Sequence, residues 1–303
     1  MNRKEDNILK YHGWIIYNGF LQANSFYDFA KMIQEAAQQK EHETMIYTNQ
    51  DIISFLNKDV TINKQNLPDY VVFTDKDIYL ARQLELMGIP VFNSSAAITT
   101  SDDKIKTYQL LAKVGITIPK TIFSPKTFGI VDAFTNDYLA EIMNSFSFPL
   151  VIKEAYGSFG EQVYLIHNKN ELHKKVREIG DRPFMFQELI TSSYGKDIRL
   201  QVVGDKVVAA MKRTAKNDFR ANVTSGGTME PYKPTLEETQ LAVKASQLIG
   251  ADFAGVDLLF GETGPIVCEI NSNAHIRNIF DCTGINAAPF IIEHIEHILG
   301  EFK

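Results

Sequence analysis

Oxygen-bearing side chains near the end of the chain form a pattern that could hold a metal ion. Asp257 lies in one apolar run, and Glu269 and Asn271 lie at the end of the next, so the two runs predict a β-hairpin. If its loop is residues 262–264, with Gly264 at the positive φ of a bulged turn, Asp257 stands opposite Glu269. Asn271 then points to the same face, because side chains alternate along a strand. The sequence predicts three oxygen ligands in one place.

These predicted ligands suit a hard cation. Two carboxylates and an amide oxygen favour Mg²⁺ over zinc, with the ion shared with substrate phosphates, and this combination indicates a nucleoside triphosphate. In the alternative interpretation, Asp257 and Glu269 are ordinary polar residues on the solvent face of a sheet. That alternative is weaker, because neighbours such as Leu258 and Ile266 are apolar and two facing carboxylates repel each other without a cation.

A lysine and a glycine-bounded turn form a second candidate site. Lys153 ends an apolar strand, and the turn Gly157-Ser158-Phe159-Gly160 follows. The lysine can place a point charge at phosphates, while the turn can offer backbone N–H groups to the same anion and move as a lid. Taken alone, an ordinary strand and hairpin explain this segment equally well.

A third candidate site combines an arginine with a flexible loop. Arg220 and Asn222 belong to a segment that continues into hydroxyl groups and glycines, which could clamp an anion. A solvated loop is the alternative. We favour the clamp because Arg199, Lys212 and Arg213 lie on the preceding predicted hairpin, and a local cluster of cations in an acidic chain requires an anionic partner.

The candidate residues lie in the last two of three predicted units. The first unit, residues 1–98, alternates short apolar runs with helical patterns, which is typical of a parallel βα domain. No glycine-rich turn follows its first strand, so the dinucleotide-binding fingerprint is absent. Its predicted elements are strands at 14–17, 44–47, 70–73 and 91–92 and helices at 25–39 and 77–87.

The second and third units, residues 99–187 and 188–303, place helices between strands and hairpins, so the fold class is α/β and α+β. The second unit begins with a helix that Ser101 or Asp102 caps and that runs to Val114. Its other predicted elements are strands at 120–123, 150–154, 163–166 and 184–188 and helices at 131–144 and 169–179. The third unit has predicted hairpins at 198–211 and 253–270 and helices at 235–249 and 284–299.

Composition narrows the class of protein. Hydrophobic residues make up 45% and charged residues 22% of the 303 residues, as in an ordinary enzyme. The formal net charge of −6 argues against a nucleic-acid partner. Cys268 and Cys282 are too few for a disulfide framework, so a reducing cytoplasm is expected. No signal peptide or membrane-spanning run is expected either.

Taken in order, the candidate motifs resemble those of the RimK-like branch of the ATP-grasp superfamily. Each motif is loose by itself, but their joint order and spacing are specific, and the resemblance covers roughly residues 90–300. The motifs are Asp103-Lys104, Pro149-Leu150-Val151-Ile152-Lys153, the turn from Gly157 to Gly160, Gln187-Glu188, Asp197-Ile198-Arg199, Asp218-Phe219-Arg220 with the loop up to Gly227, Gly255-Val256-Asp257 and Glu269-Ile270-Asn271.

The resemblance implies an ATP-grasp fold, with ATP between the second and third units and a pre-ATP-grasp domain as the first. Lys104 and Lys153 would contact the phosphates beneath the glycine turn. The strand edge at Glu188 and Leu189 would bind the adenine largely through the backbone, and Asp197 would lie near the ribose.

The resemblance also implies the reaction. The three predicted metal ligands would bind two Mg²⁺ ions, for which Mn²⁺ could substitute, and Arg220 and Asn222 would face the phosphates and the reacting carboxylate. The carboxylate would attack the γ-phosphate, and an amine would then attack the acyl phosphate, with Arg199 stabilising the tetrahedral intermediate. The expected enzyme is an ATP-dependent, ADP-forming carboxylate–amine ligase.

The segment after the predicted metal ligands is the candidate for substrate recognition. It runs from Asn271 through Asn273 and His275 to Asn278, and this spacing is similar to ligases that act on the amino-group carrier protein of lysine and arginine biosynthesis. Those enzymes carry an acidic residue where His275 stands. The resemblance therefore implies the same type of reaction for this chain, but it does not identify the substrate. We predict that Asn273, His275 and Asn278 contact the substrate, which includes a glutamate-like amino acid.

Several alternatives stay open. The carboxylate acceptor could be a small molecule, a peptide or a protein C-terminus, and the chain could form a homo-oligomer. A different class of function is an ATP-binding sensor or an ATPase of the same fold that ligates nothing. The complete set of predicted metal ligands argues against a sensor, which needs no pair of metal ions.

Overall fold

The computed structural model describes residues 11–21, 23–128, 134–157, 160–221 and 227–301. This part of the chain forms three larger sheets with flanking helices and one small hairpin. The mixture of a parallel sheet with antiparallel sheets is the fold class that the sequence predicts.

The N-terminal sheet has four parallel strands, as predicted. Its elements are β1 (His12–Tyr17), α1 (Asn24–Gln39), β2 (Glu43–Thr48), β3 (Ser54–Leu56), β4 (Val60–Ile62), β5 (Tyr70–Phe73), α2 (Ile78–Leu86) and β6 (Val91–Phe92). The sheet order is β2-β1-β5-β6, and every pairing is parallel. Its central strands are enclosed on both faces, so Ile15 and Val72 are fully buried. The β3–β4 hairpin was not predicted, because β3 is exposed throughout and has no apolar alternation.

A second, antiparallel sheet follows. Its elements are α3 (Ser95–Asp102), α4 (Lys104–Lys113), β7 (Thr121–Phe123), α5 (Asn136–Ser145), β8 (Leu150–Glu154), β9 (Val163–Ile166), α6 (Lys169–Ile179) and β10 (Phe184–Glu188). The sheet order is β7-β10-β8-β9, and residues of α5 and α6 bury a common core with it. The helix predicted at 131–144 begins later, where Thr135 caps it, and residues 131–133 lie outside the described part.

The predicted cap of the next helix is wrong. Asp103, and neither Ser101 nor Asp102, caps α4, because its Oδ1 accepts hydrogen bonds from the N–H groups of Ile105 and Lys106 at 3.1 and 3.2 Å. Ser101 and Asp102 instead end α3, a helix that the sequence did not predict, and the predicted helix corresponds to α4 alone. The cap places Lys104 at the first position of α4.

The third sheet carries the predicted metal ligands. Its elements are β11 (Lys196–Val203), β12 (Lys206–Thr214), β13 (Thr228–Pro231), α7 (Leu236–Leu248), β14 (Phe253–Phe260), β15 (Pro265–Asn271), α8 (Arg277–Thr283) and α9 (Ala288–Glu301). The sheet order is β13-β12-β11-β14-β15. Both predicted hairpins and the helix near 235–249 are confirmed. The predicted helix 284–299 is wrong at its start, because Gly284, at φ 73°, ends α8.

The hairpin register is confirmed, although for a different reason from the predicted one. Asp257 stands opposite Glu269. However, the last strand pair is Phe260 with Pro265, so the loop has one residue more than predicted, and a register shift next to Asp257 compensates for it. The positive φ expected at Gly264 is present, at 147°.

A buried asparagine joins the N-terminal sheet to the third sheet. Asn93 is fully buried, and its Nδ2 donates to the carbonyl oxygens of Phe253 at 2.9 Å and Ser272 at 2.8 Å. Its Oδ1 accepts from the N–H groups of Asp252 at 2.6 Å and Phe253 at 3.2 Å. The segment that follows β15 is therefore held directly against the N-terminal sheet.

We expect Asn93→Ala to lower the free energy of unfolding by about 3 kcal/mol or more, because buried backbone groups on both segments lose their partner. The control is Asn57→Ala, whose side chain accepts one hydrogen bond in an exposed turn and should change the same free energy by less than about 1 kcal/mol. Urea unfolding followed by circular dichroism measures both. Equal effects would contradict this role for Asn93.

Candidate active site

A cleft of about 450 Å³ lies between the sheets, within the size range of small-molecule sites. Every described residue that the sequence predicts for the site lines this cleft. They are Lys104, Lys153, Gly157, Gly160, Glu188, Leu189, Asp197, Arg199, Arg220, Asp257, Glu269, Asn271, Asn273, His275 and Asn278. The other predicted residues, Ser158, Phe159 and Asn222, lie outside the described part of the chain.

The three predicted metal ligands lie along one hairpin. Asp257 pairs with Glu269, and Asn271 pairs with Gly255 two residues along. The Glu269 side chain is 37% exposed, and its Oε1 lies 3.5 Å from Lys104 Nζ. The amide oxygen of Asn271 accepts one hydrogen bond, from the N–H of Asn273 at 3.0 Å, which leaves its second lone pair for another partner.

This donor set fits a magnesium ion. Two carboxylates and one amide oxygen are hard ligands, and Mg²⁺ commonly takes only a few protein ligands together with water and phosphate oxygens. In the described residues, no group of three or more His, Cys, Asp and Glu side chains could hold a metal. The amide oxygen of Asn271 is the protein group on the same hairpin that could serve as a third ligand beside Asp257 and Glu269.

Two arginines bind the carboxylate of Asp257. Arg199 donates from Nε and Nη2 to its two oxygens, both at 2.7 Å, and Arg213 Nη2 donates to its Oδ2 at 2.8 Å. Arg213 also binds Asp197 through two bonds, at 2.7 and 2.6 Å. Such bidentate pairs fix both partners in position. The network therefore orients Asp257 from the side of β11 and β12.

The cation cluster does not need an external anion, contrary to the prediction. Arg199 and Arg213 are neutralised by the carboxylates of Asp197 and Asp257. Lys212 pairs with Glu230 at 2.8 Å. The prediction was wrong because each arginine pairs with a carboxylate on another strand. The sequence alone does not show which residues on different strands lie side by side.

The arginines also set the charge of the two aspartates. Burial opposes ionisation of Asp257, but Arg199 and Arg213 together hold its pKa at about 2. Burial raises the pKa of Asp197 to about 6, although Arg213 opposes this rise. Asp257 is consequently an anion at neutral pH, as a carboxylate ligand for a metal must be.

Two lysines lie near the metal ligands. Lys153 is buried near the C-terminal end of β8. Its Nζ lies 3.5 Å from the Tyr108 hydroxyl and 3.6 Å from Cys268 Sγ. Lys104 Nζ donates to the carbonyl oxygen of Gly157 at 3.0 Å. Both ammonium groups thus border the same end of the cleft as Glu269.

The glycine turn is held at both of its ends. Lys104 binds Gly157, and Arg220 Nη1 donates to the carbonyl oxygen of Gly160 at 2.5 Å. Arg220 is itself oriented by Asp218, whose Oδ2 accepts from its Nη2 at 2.7 Å. Gly157 and Gly160 have φ of 138° and 73°, a region that favours glycine. The two cations therefore bind the two glycines that bound this segment.

Part of the cleft lining is apolar. It lies beside Glu188, whose N–H donates to the carbonyl oxygen of Lys120 at 3.1 Å and whose Oε1 accepts from the Lys120 N–H at 2.7 Å. An apolar wall beside the end of a strand suits an aromatic base. Its apolar lining residues are Pro119, Val151, Leu189, Ile190 and Leu259.

The predicted substrate residues lie where the third sheet meets the N-terminal domain. His275 Nδ1 donates to the carbonyl oxygen of Ser25 at 3.1 Å, and its ring packs edge-on against Phe26 at 4.7 Å. Burial lowers the pKa of His275, which favours the neutral ring. Asn273 is buried and Asn278 is exposed, so this wall runs from the interior of the cleft to its mouth.

Sequence reasoning identified no individual cleft residue in the N-terminal domain. Asn18, Asp75 and Lys76 line it. They follow β1 and β5, and ligands commonly bind outside the carboxyl ends of parallel strands. Polar residues directly after two buried, neighbouring strands were the signal that could have identified them.

A family model of the RimK-like ATP-grasp domain matches residues 101–295, more than half of the chain. The chain belongs to the RimK-like ATP-grasp family. A relative named probable alpha-L-glutamate ligase, from Pseudomonas fluorescens strain Pf-5, is 41% identical over 218 residues, which cover 71% of this chain and 70% of the relative. These matches confirm the resemblance seen in the motifs and the predicted class of enzyme, an ATP-dependent carboxylate–amine ligase.

Two solved structures share the fold. D-alanine–D-alanine ligase from Bacillus anthracis, solved with ATP, has a TM-score of 0.71 at 18% identity and covers 97% of this chain and 100% of its own. The ATP-grasp ligase PsnB, solved with a minimal precursor, Mg and ADP, has a TM-score of 0.68 at 17% identity and covers 94% and 96%. Both likenesses establish the ATP-grasp fold of this chain. In its described part, no helix has the length and apolar character required to cross a membrane.

Proposed function

We propose that this RimK-like ATP-grasp protein uses ATP and two Mg²⁺ ions to convert a carboxylate into an acyl phosphate, which it then couples to the amino group of an amino acid. The observation that carries the proposal is the pairing of Asp257 with Glu269, next to Asn271, at a cleft bordered by two lysines. Mn²⁺ could replace Mg²⁺ at these oxygen ligands.

The residues that line the cleft support one orientation of ATP. The adenine would bind at the apolar part of the cleft beside Glu188 and Leu189, with Asp197 near the ribose. The triphosphate would then extend towards Lys104 and Lys153, under the glycine turn. Since the Glu188 N–H is engaged by Lys120, the adenine would bind other backbone groups of this edge.

Residues of the chain can support both chemical steps. The bound divalent ions would neutralise charge on the phosphoryl oxygens during transfer. Lys104 and Lys153 would bind the phosphates, and Arg220 would hold Gly160, which borders the cleft, through its carbonyl oxygen. Carboxylate attack on the γ-phosphorus releases ADP, and amine attack on the acyl carbon then releases phosphate.

Arg199 is our candidate for stabilising the oxyanion of the second step. Its Nε and Nη2 bind Asp257, while its Nη1 has no hydrogen-bond partner within the described residues. The guanidinium therefore has donors left for a substrate oxygen in a fixed orientation. Arg199 also lines the cleft.

The substrates are proposed by class. The name of the 41% identical relative supports glutamate as the amino acid. The exposure of Asn278 at the cleft mouth supports an acceptor larger than an amino acid, such as a peptide or a protein C-terminus. A small-molecule carboxylate is the competing acceptor, as the name of D-alanine–D-alanine ligase illustrates for that enzyme.

A screen of ADP release tests the proposal. Each of the twenty amino acids, beginning with L-glutamate, is paired with candidate carboxylates and peptides in the presence of ATP and Mg²⁺. We expect ADP release that requires both partners, with one amide formed per ADP by mass spectrometry. Release that requires neither partner, with no amide, would instead identify an ATPase or a sensor.

A further inference from the structure

Two buried hydrogen-bond acceptors on the wall of the cleft have no partner within the described residues. They are Oδ2 of Asp75 and Oδ1 of Asn273. Asp75 is 4% exposed, and its other oxygen accepts a hydrogen bond from Asn18 Nδ2 at 3.0 Å. A buried acceptor without a donor is costly, and native proteins seldom leave one unsatisfied. These two atoms therefore indicate a ligand.

Asp75 and Asn273 both line the cleft, and the segments that carry them are held together by the fold. Asp75 follows β5, which pairs in parallel with β6. Asn93 follows β6 and binds the carbonyl oxygen of Ser272, the residue before Asn273. The carboxyl edge of the N-terminal sheet is thus joined to the segment after the predicted metal ligands.

The chemistry of the two atoms defines the ligand. Both can accept hydrogen bonds. Burial raises the pKa of the Asp75 carboxyl, although hydrogen bonds from Asn18 and from the backbone N–H groups of Lys76 and Asp77 oppose this rise. An ammonium group offers three donors and a positive charge. The nearby Lys76 ammonium lies 2.5 Å from Asp102, so that side chain already has a carboxylate partner.

We propose that Asp75, together with Asn273, forms a subsite for the ammonium group of an amino-acid substrate. This inference rests on the proposed ligase function and assigns to the N-terminal domain a part in substrate selection. The ammonium group could belong to the amino acid whose amine is acylated, or to one whose carboxylate is activated. The two cases share the same recognition chemistry and differ in their kinetics.

The first test compares L-glutamate with glutarate, which has the same two carboxylates and no ammonium group. With the wild-type protein, Mg²⁺ and a non-hydrolysable ATP analogue, calorimetry should show that L-glutamate binds at least about 10-fold more tightly. If another amino acid gives the strongest ADP release, that amino acid and its deaminated counterpart replace this pair. Equal binding of the pair would overturn the proposal without any variant.

The second test is Asp75→Asn, with Asp59→Asn as the control because Asp59 is exposed on the same domain and does not line the cleft. We expect the KM for L-glutamate to rise about 10- to 100-fold in Asp75→Asn, with the KM for ATP within twofold of the wild type and the control unchanged. A fall in kcat as well would assign the subsite to the reacting amine. An unaltered kcat would assign it to a non-reacting ammonium.

The outcomes separate this inference from the proposed function. If the folded Asp75→Asn protein keeps the wild-type KM for the amino acid, Asp75 has only a structural part and the inference fails while the ligase stands. If no amino acid stimulates ADP release by the wild-type protein, the proposed function fails, and the ammonium subsite fails with it.

Discussion

Glu269→Gln should lower turnover by roughly a thousandfold or more, and Asp257→Asn should do the same. Each change removes a carboxylate oxygen where we place a divalent ion, and metal-ion stabilisation of phosphoryl transfer contributes several kcal/mol. Glu269→Gln is the cleaner experiment, because Glu269 is partly exposed and its only ion pair within the described residues is with Lys104 at 3.5 Å. Asp257→Asn also leaves Arg199 and Arg213 with less neutralising charge.

The control for these variants is Glu262→Gln, in the exposed turn of the same hairpin and outside the cleft. It should leave kcat within twofold of the wild type. Kinetics are measured over a range of Mg²⁺ concentrations, since a lost ligand raises the concentration needed for half-maximal activity. Wild-type turnover by Glu269→Gln at low Mg²⁺ would refute its part in metal binding.

Arg199→Met should lower kcat by about 100- to 1000-fold, the usual effect of removing one donor to a developing oxyanion. Arg213 still binds Asp257 in this variant, so the carboxylate keeps one of its partners and the fold should survive. Lys212→Met is the matched control, because it removes a cation from the same hairpin, where Lys212 pairs with Glu230 outside the cleft.

The kinetic pattern distinguishes two roles of Arg199. If it stabilises the oxyanion, kcat falls while the Mg²⁺ concentration for half-maximal activity changes little. If it only orients Asp257, that Mg²⁺ concentration rises and saturating Mg²⁺ restores kcat. Restoration of kcat by Mg²⁺ would therefore contradict the catalytic role that we propose.

The sequence was informative where the pattern is local. Alternating strands around a glycine turn suffice to place Asp257 opposite Glu269, and this pairing is confirmed. The predicted loop was nevertheless one residue too short. A register shift in the hairpin compensated for the error, and nothing in the apolar pattern around Cys268 indicates it.

Contacts between residues that are far apart in the chain could not be predicted from the sequence. The cluster of Arg199 and Arg213 suggested an external anion, but Asp197 and Asp257 neutralise both arginines across strands. The place of Asp75 in the cleft likewise depends on how the N-terminal sheet meets the third sheet. Such packing between distant segments leaves no periodic signal in one sequence.

Short helices and caps were the other source of error. Ser101 and Asp102 looked like caps because each can accept a backbone hydrogen bond, but Asp103 does so for α4. Three consecutive residues of suitable type give no basis for a choice. Gly284 similarly looked like the start of a helix and is the end of one, because glycine at positive φ commonly follows the last turn.

The most direct measurement is anomalous diffraction from crystals grown with Mn²⁺ and a non-hydrolysable ATP analogue. We expect Mn²⁺ peaks within roughly 2.0–2.3 Å of carboxylate oxygens of Asp257 and Glu269 and the amide oxygen of Asn271, in contact with the terminal phosphates. Peaks at other residues, or a nucleotide bound away from this hairpin, would contradict the assignment of these three side chains as the metal ligands.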